Sequence, residues 1–229
     1  ETSLKKKNVM RVTASDINKK CGRKLTKKIK FIHSDLFENI PRQEFDTIIF
    51  NPPYLPQDNG IKDITIYGGK KGYEIIERFL DDCSNYLAVN GIILLLFSSH
   101  SNKNKIEEII ERNCLEKEEV ARKQMPMFET LFVYKITKAK LRKELESKEI
   151  TDVKKFTEGN RGAIYTGMKN KVKVAVKVQL KNSPVKSSVA NEIKWLKILN
   201  EKGIGPKFID SGGDYFIYKF VEGEYVNEY

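Results

Sequence analysis

The stretch Asn51-Pro52-Pro53-Tyr54 has the residue types and spacing best suited to chemistry. A planar amide or arylamine nitrogen is a poor nucleophile because its lone pair is delocalised. A site that alkylates such a nitrogen must hold both N–H bonds and aim the lone pair at the incoming carbon. The Asn51 side-chain oxygen and the Pro52 carbonyl can accept those two hydrogens. Two successive prolines stiffen the loop and remove backbone donors that would compete, which suits a reaction governed by orientation. Tyr54 offers a flat face on which a planar amide or a base can stack. No base of unusual pKa is required, because the proton can leave after the transfer. The same four residues also suit a plain turn after a strand, so their setting in the chain matters.

Segments of strand character alternate with segments of helical period up to about Lys138, the pattern of an α/β domain with a largely parallel sheet. Residues 9–15 predict a strand ending in Asp16, residues 29–34 another ending in Asp35, and residues 45–50 a third running into Asn51. Ligands of open α/β sheets sit beyond the carboxyl ends of the strands, so the three polar stops are candidate site residues together. Each aspartate alone suits a turn or a helix cap equally well. A helix is predicted over 72–87, stopped by Val89-Asn90-Gly91, then a buried strand over 92–97 and a helix over 105–112. Strands around 118–122 and 130–136 would close the sheet as an antiparallel pair.

Through Val12-Thr13-Ala14-Ser15-Asp16-Ile17-Asn18, residues 29–37 and residues 45–56, the chain resembles the HemK/PrmC-like class I methyltransferases, up to about Lys138. The resemblance implies a Rossmann-like sheet and S-adenosylmethionine as cofactor. Asp16 would bind its ribose hydroxyls and Asp35 would meet its adenine edge, with Leu36 beside them in the cofactor site. It also implies methylation of a glutamine side-chain nitrogen in a translation release factor, with adenine N6 of a nucleic acid as the alternative acceptor. A small zinc-binding partner protein that covers an apolar sheet edge belongs to the same expectation. The family begins with a strand ending in a Gly-rich loop, whereas residues 1–8 are lysine-rich and contain no glycine. A sheet lacking its first, central strand is therefore expected, with truncation at the N-terminus as the favoured cause.

A second constellation follows. Gly159 and Gly162 frame a turn leading into a strand, Val174-Ala175-Val176-Lys177 forms the next strand, and Glu192 falls inside a helical run. A strand lysine on nucleotide phosphates, held by a helix carboxylate, is the arrangement kinases use. With Gly203-Ile204-Gly205-Pro206 and the hinge-like residues 217–224, this half resembles the N-lobe of atypical, RIO-like archaeal protein kinases. That likeness implies an α+β lobe binding ATP through Gly159, Gly162, Lys177 and Glu192. A plain hairpin turn and a solvated lysine and glutamate are the blander alternative. The chain stops at Tyr229, before any catalytic-loop or metal-binding aspartate, so phosphoryl transfer by this polypeptide is not expected.

The expected organisation is a methyltransferase domain over 1–138, a charged helical linker over 139–150 with Glu144 pairing Lys148 four residues on, and a kinase-like lobe over 151–229. Trp195, with Ile198 and Leu199, reads as helix core. His33 and His100 lack a third ligand at metal spacing and receive no role. Cys21, Cys83 and Cys114 are scattered without a Cys-x-x-Cys pair, which suggests neither a disulfide framework nor a zinc site and fits a reducing cytoplasm. No apolar run reaches the length of a membrane span. The formal charge of +11 permits a nucleic-acid partner without requiring one, because lysine mixed with glutamate also describes a surface rich in ion pairs. A third reading is a non-catalytic nucleotide-binding or interaction module.

Overall fold

The computed structural model describes residues 9–58, 60, 63–160, 162–179 and 189–223. Strands β1 (Val12–Asp16) and β2 (Ile29–His33) pair in parallel, with Asp16 opposite His33. β3 (Phe45–Phe50) lies parallel to β4 (Leu87–Ser98), and with β5 (Leu115–Gln124) and β6 (Thr130–Lys138) they form a sheet of order β3-β4-β6-β5. β6 is antiparallel to both of its neighbours, as the sequence predicts for the closing pair. Among the described residues no ladder joins β1 to β3. Within those residues β1-β2 and β3-β4-β6-β5 are therefore two separate sheets. Residues 1–8 lie outside the described residues.

Helices α1 (Glu74–Cys83) and α2 (Lys103–Arg112) cover this sheet. α1 buries Ile76, Phe79, Leu80 and Cys83, and α2 buries Ile106, Ile109 and Ile110, each an apolar stripe at helical spacing. With Ile93, Leu95 and Phe97 of β4 and Tyr134 and Ile136 of β6 they form the main core, where each large side chain contributes about 1.5–3 kcal/mol. The helix predicted over 72–87 ends at Cys83, and Leu87 already belongs to β4. Pairing of β3 with β4 jumps from Phe45–Leu87 to Thr47–Ile92, so Val89-Asn90-Gly91 form an irregularity inside a strand, where helix termination was expected.

The second sheet has the order β10-β11-β9-β8-β7, with every pairing antiparallel: β7 (Thr151–Gly159), β8 (Gly162–Lys169), β9 (Val172–Val178), β10 (Phe208–Ser211) and β11 (Tyr215–Lys219). Leu180, the end of the strand expected over 172–180, Ser188, the start of the expected helix, and Glu224, the last of the hinge-like residues, lie outside the described residues. Helix α4 (Val189–Glu201) packs Val189, Leu196 and the half-buried Ile193 against Phe216 of β11. Trp195 is not core: it is 57% exposed, with Ile198 and Leu199 each 39% exposed. The helix carries two apolar stripes, and the sheet takes the one without the indole.

Within the charged helical linker expected over 139–150, helix α3 (Lys140–Ser147) forms and acts as a packed joint. Leu145 is fully buried and Arg142 is 2% exposed. The Arg142 guanidinium donates to Asn113 O at 2.7 and 3.0 Å, just past α2, and to Val153 O at 2.5 Å in β7. Lys148 pairs with Asp210 at 2.5 Å, not with Glu144, which faces Lys140 at 3.7 Å. Lys154 of β7 reaches Asp81 of α1 at 3.1 Å, and Lys155 pairs with Glu111 of α2. Charge therefore serves burial here, because the buried Arg142 guanidinium meets two backbone carbonyls and the Glu146 carboxylate at 3.3 Å.

Candidate active site

β3 delivers Asn51 with Phe50 anchored behind it, its ring stacked 4.1 Å from that of Phe79 in α1. Asn51 is exposed, Pro52 is buried, and Pro53 and Tyr54 are half-buried. The anchor of the loop therefore sits inside while the amide group that would meet an acceptor faces out.

The loop is held from two sides. From the turn after β4, the buried Ser101 donates its hydroxyl to Tyr54 O at 2.7 Å. From residues 63–72, Ile66 O accepts Leu55 N at 3.0 Å and Gly68 N donates to Leu55 O at 2.9 Å. These segments approach so closely that only glycine fits. A Cβ on Gly68 would lie 2.6 Å from Pro53 O, and one on Gly72, whose φ is +85°, would lie 2.5 Å from Tyr54 O. Ser101, Gly68 and Gly72 escaped the sequence reading; Gly68-Gly69 and Gly72 so soon after the prolines was the available signal. Burial pushes the Tyr54 phenol up, and the Glu129 carboxylate adds to the shift. Tyr54 thus stays neutral at physiological pH, a flat face without charge.

Asp16 closes β1, with Oδ1 accepting from Asn18 N at 2.7 Å and its carbonyl accepting from Ser34 N at 3.1 Å. The next turn carries Asp35 and Leu36, the latter half-buried against the main core with φ 46°. Ser34 shapes this turn, donating to Leu36 O at 3.0 Å and accepting from Asn39 N at 2.9 Å. Asp35 Oδ2 is engaged by Arg78 of α1 at 2.9 Å, a contact the sequence reading did not foresee. The neighbouring residue on α1, Phe79, stacks on Phe50, so one helix ties the Asp35 turn to the strand that ends at Asn51. His33 Nε2 lies 2.9 Å from Ile17 O, a structural contact within the same pair of strands. Two carboxylates at adjoining strand ends with an apolar residue beside them fit an adenosyl group: Asp16 can accept ribose hydroxyl protons and Asp35 an exocyclic amine.

The other constellation lies in the second sheet. Lys177 Nζ on β9 donates to Glu192 Oε2 on α4 at 2.5 Å. Gly162 opens β8 beside them, and its Cβ would lie 2.4 Å from Val178 O, so glycine is required there, whereas a Cβ on Gly159 meets nothing within 4 Å. Gly159 and Gly162 face each other across the β7–β8 turn. Arg161 between them lies outside the described residues.

Residues 3–126 match the methyltransferase small domain family. The chain is 34% identical over 140 residues to the Methanocaldococcus jannaschii protein named "Putative protein N5-glutamine methyltransferase MJ0928", covering 56% of this chain and 70% of that one. It is 31% identical over 87 residues to the release factor glutamine methyltransferase of Aquifex aeolicus, covering 34% of this chain and 31% of that one. Among solved structures, the E. cuniculi Mtq2-Trm112 complex, described as responsible for methylation of the eRF1 translation termination factor, matches at a TM-score of 0.47 with 24% identity, covering 56% of this chain and 72% of that one. The chain belongs to the methyltransferase small domain family, among the S-adenosylmethionine-dependent methyltransferases.

Proposed function

We propose that this chain methylates the side-chain amide nitrogen of a glutamine in a protein of the translation apparatus, a release factor in the first instance. The observation that carries this reading is the exposed Asn51 on a loop fixed at Pro53 and Tyr54 by Gly68, Gly72 and Ser101. Bound S-adenosylmethionine would supply an electrophilic methyl group. Asp16, Asp35 and Leu36 would hold its adenosyl end. Asn51 Oδ1 and the Pro52 carbonyl would accept the two amide hydrogens and turn the nitrogen lone pair toward the donor, and Tyr54 would stack on the amide plane. The matched relatives named as glutamine methyltransferases support the choice of acceptor. A small zinc-binding partner that covers an apolar sheet edge belongs to the same reading. The test is to incubate the full chain with isotope-labelled S-adenosylmethionine and an intact release factor, then map the label by tandem mass spectrometry. Label on a glutamine side chain supports the reading; label on adenine of an added nucleic acid, with none on protein, moves it to the alternative acceptor.

A second reading concerns the other sheet: the Lys177–Glu192 pair at 2.5 Å beside Gly162 favours a site for nucleotide phosphates. Lys177 would contact the phosphates and Glu192 would fix its direction.

A further inference from the structure

The hairpin joining β5 to β6 turns through Pro126, Met127 and Phe128, closed by Met125 N donating to Glu129 O at 2.8 Å. Met127 and Phe128 are 88% and 99% exposed, and both have left-handed backbones with φ 60° and 59°. Consecutive positive φ values are the province of glycine and asparagine. The β8–β9 hairpin obeys that preference in part, with Asn170 and Lys171 at φ 49° and 63°. A methionine and a phenylalanine, fully solvated on a strained turn, gain nothing for the fold from their size or their apolarity. Such strain, when maintained, points to a role for the side chains.

The tip is fixed to the candidate active site. Thr130, at the foot of the hairpin, donates its backbone N–H to Ser99 Oγ at 3.0 Å, and Ser101 two residues on donates to Tyr54 O at 2.7 Å. Glu129, between the tip and that foot, is near enough to Tyr54 for its charge to oppose ionisation of the phenol. The path from Phe128 to the loop that would meet the acceptor therefore runs through a few short, rigid contacts. A carboxylate at that rim repels a phosphate backbone and favours a polypeptide over a nucleic acid.

We infer that Met127 and Phe128 form a docking tip for the protein acceptor, taking apolar side chains of the extended segment that flanks the methylated residue. This rests on the proposed amide methylation for the identity of the acceptor. The tip selects an intact protein, while Asn51 to Tyr54 handle the amide itself.

The test compares wild type with Met127→Asn/Phe128→Gly, a pair that relieves the backbone strain and removes the apolar surface. Binding of an intact release factor is read by fluorescence anisotropy without cofactor, methyl transfer is followed with that protein and with a short glutamine peptide that lacks the flanking apolar side chains, and thermal melting is recorded. The expected result is a melting temperature equal to or above wild type, at least about ten-fold weaker binding and a matching rise in KM for the intact protein, with peptide kinetics unchanged. Equal affinity and KM for the intact protein in both chains would overturn the docking role. Weaker binding with no methyl transfer by wild type would keep the tip and overturn the amide reading. No binding by wild type, or a variant defect confined to added RNA or DNA, would overturn the tip as a protein-docking element.

Discussion

The Ser101 hydroxyl donates to the carbonyl oxygen of Tyr54 across 2.7 Å, so the turn after β4 fixes the loop after β3, although 47 residues separate them in the chain. That oxygen is also the atom a Cβ on Gly72 would meet at 2.5 Å. The candidate active site is thus braced at one carbonyl by a hydroxyl on one side and by the absence of a side chain on the other.

Gly72→Ala should move the Tyr54 carbonyl and strain a backbone at φ +85°, costing about 1–2 kcal/mol for the left-handed residue alone. The expected result is a fall in kcat for methyl transfer of about ten-fold to a hundred-fold, since displacements on the order of 1 Å carry such penalties. Gly213→Ala, whose Cβ meets nothing within 4 Å, should leave kinetics and melting unchanged. Steady-state rates for the two variants check this.

Arg142→Met should destabilise the chain by about 3 kcal/mol, because it leaves Asn113 O and Val153 O without their charged donor. These carbonyls belong to segments on either side of α3, so the variant should also melt less cooperatively than wild type. Differential scanning calorimetry reads both effects.

Acid should loosen the same joint through Asp81. Burial alone would raise its carboxyl, but Asn113, Arg112 and Lys154 more than offset this and hold it below the usual carboxylate range. A depressed folded pKa contributes stability above the unfolded value, near 4, and that contribution is lost as pH falls through the folded value. Urea midpoints should therefore drop below about pH 4 in wild type, and less steeply in Asp81→Asn.

Lys177→Met tests the second sheet. Wild type should gain melting temperature on addition of ATP, since a ligand at a hundred times its Kd stabilises by about 2.7 kcal/mol. The variant, without the ammonium group 2.5 Å from Glu192, should gain none.

The sequence made the Asn51 loop and the ends of β1 to β3 legible because strand, stop and loop are short-range signals. The Asp35–Arg78 pair spans 43 residues and left no local trace. β7 was missed because Lys154, Lys155 and Glu158 hide its alternation, as charges on an edge strand do. Arg142 was not singled out within the charged linker, because a buried guanidinium is the exception that only its partners reveal. Trp195 was read as core because two stripes of α4 share helical spacing, and the choice between them was made by the facing sheet.

The central claim is that Asn51 orients an amide nitrogen for methylation. The measurement is methyl transfer to an intact release factor by wild type and Asn51→Ala, with calorimetric titration of S-adenosylmethionine into both. Loss of transfer with cofactor affinity retained is the predicted result, whereas full transfer by Asn51→Ala would contradict the assignment of the site.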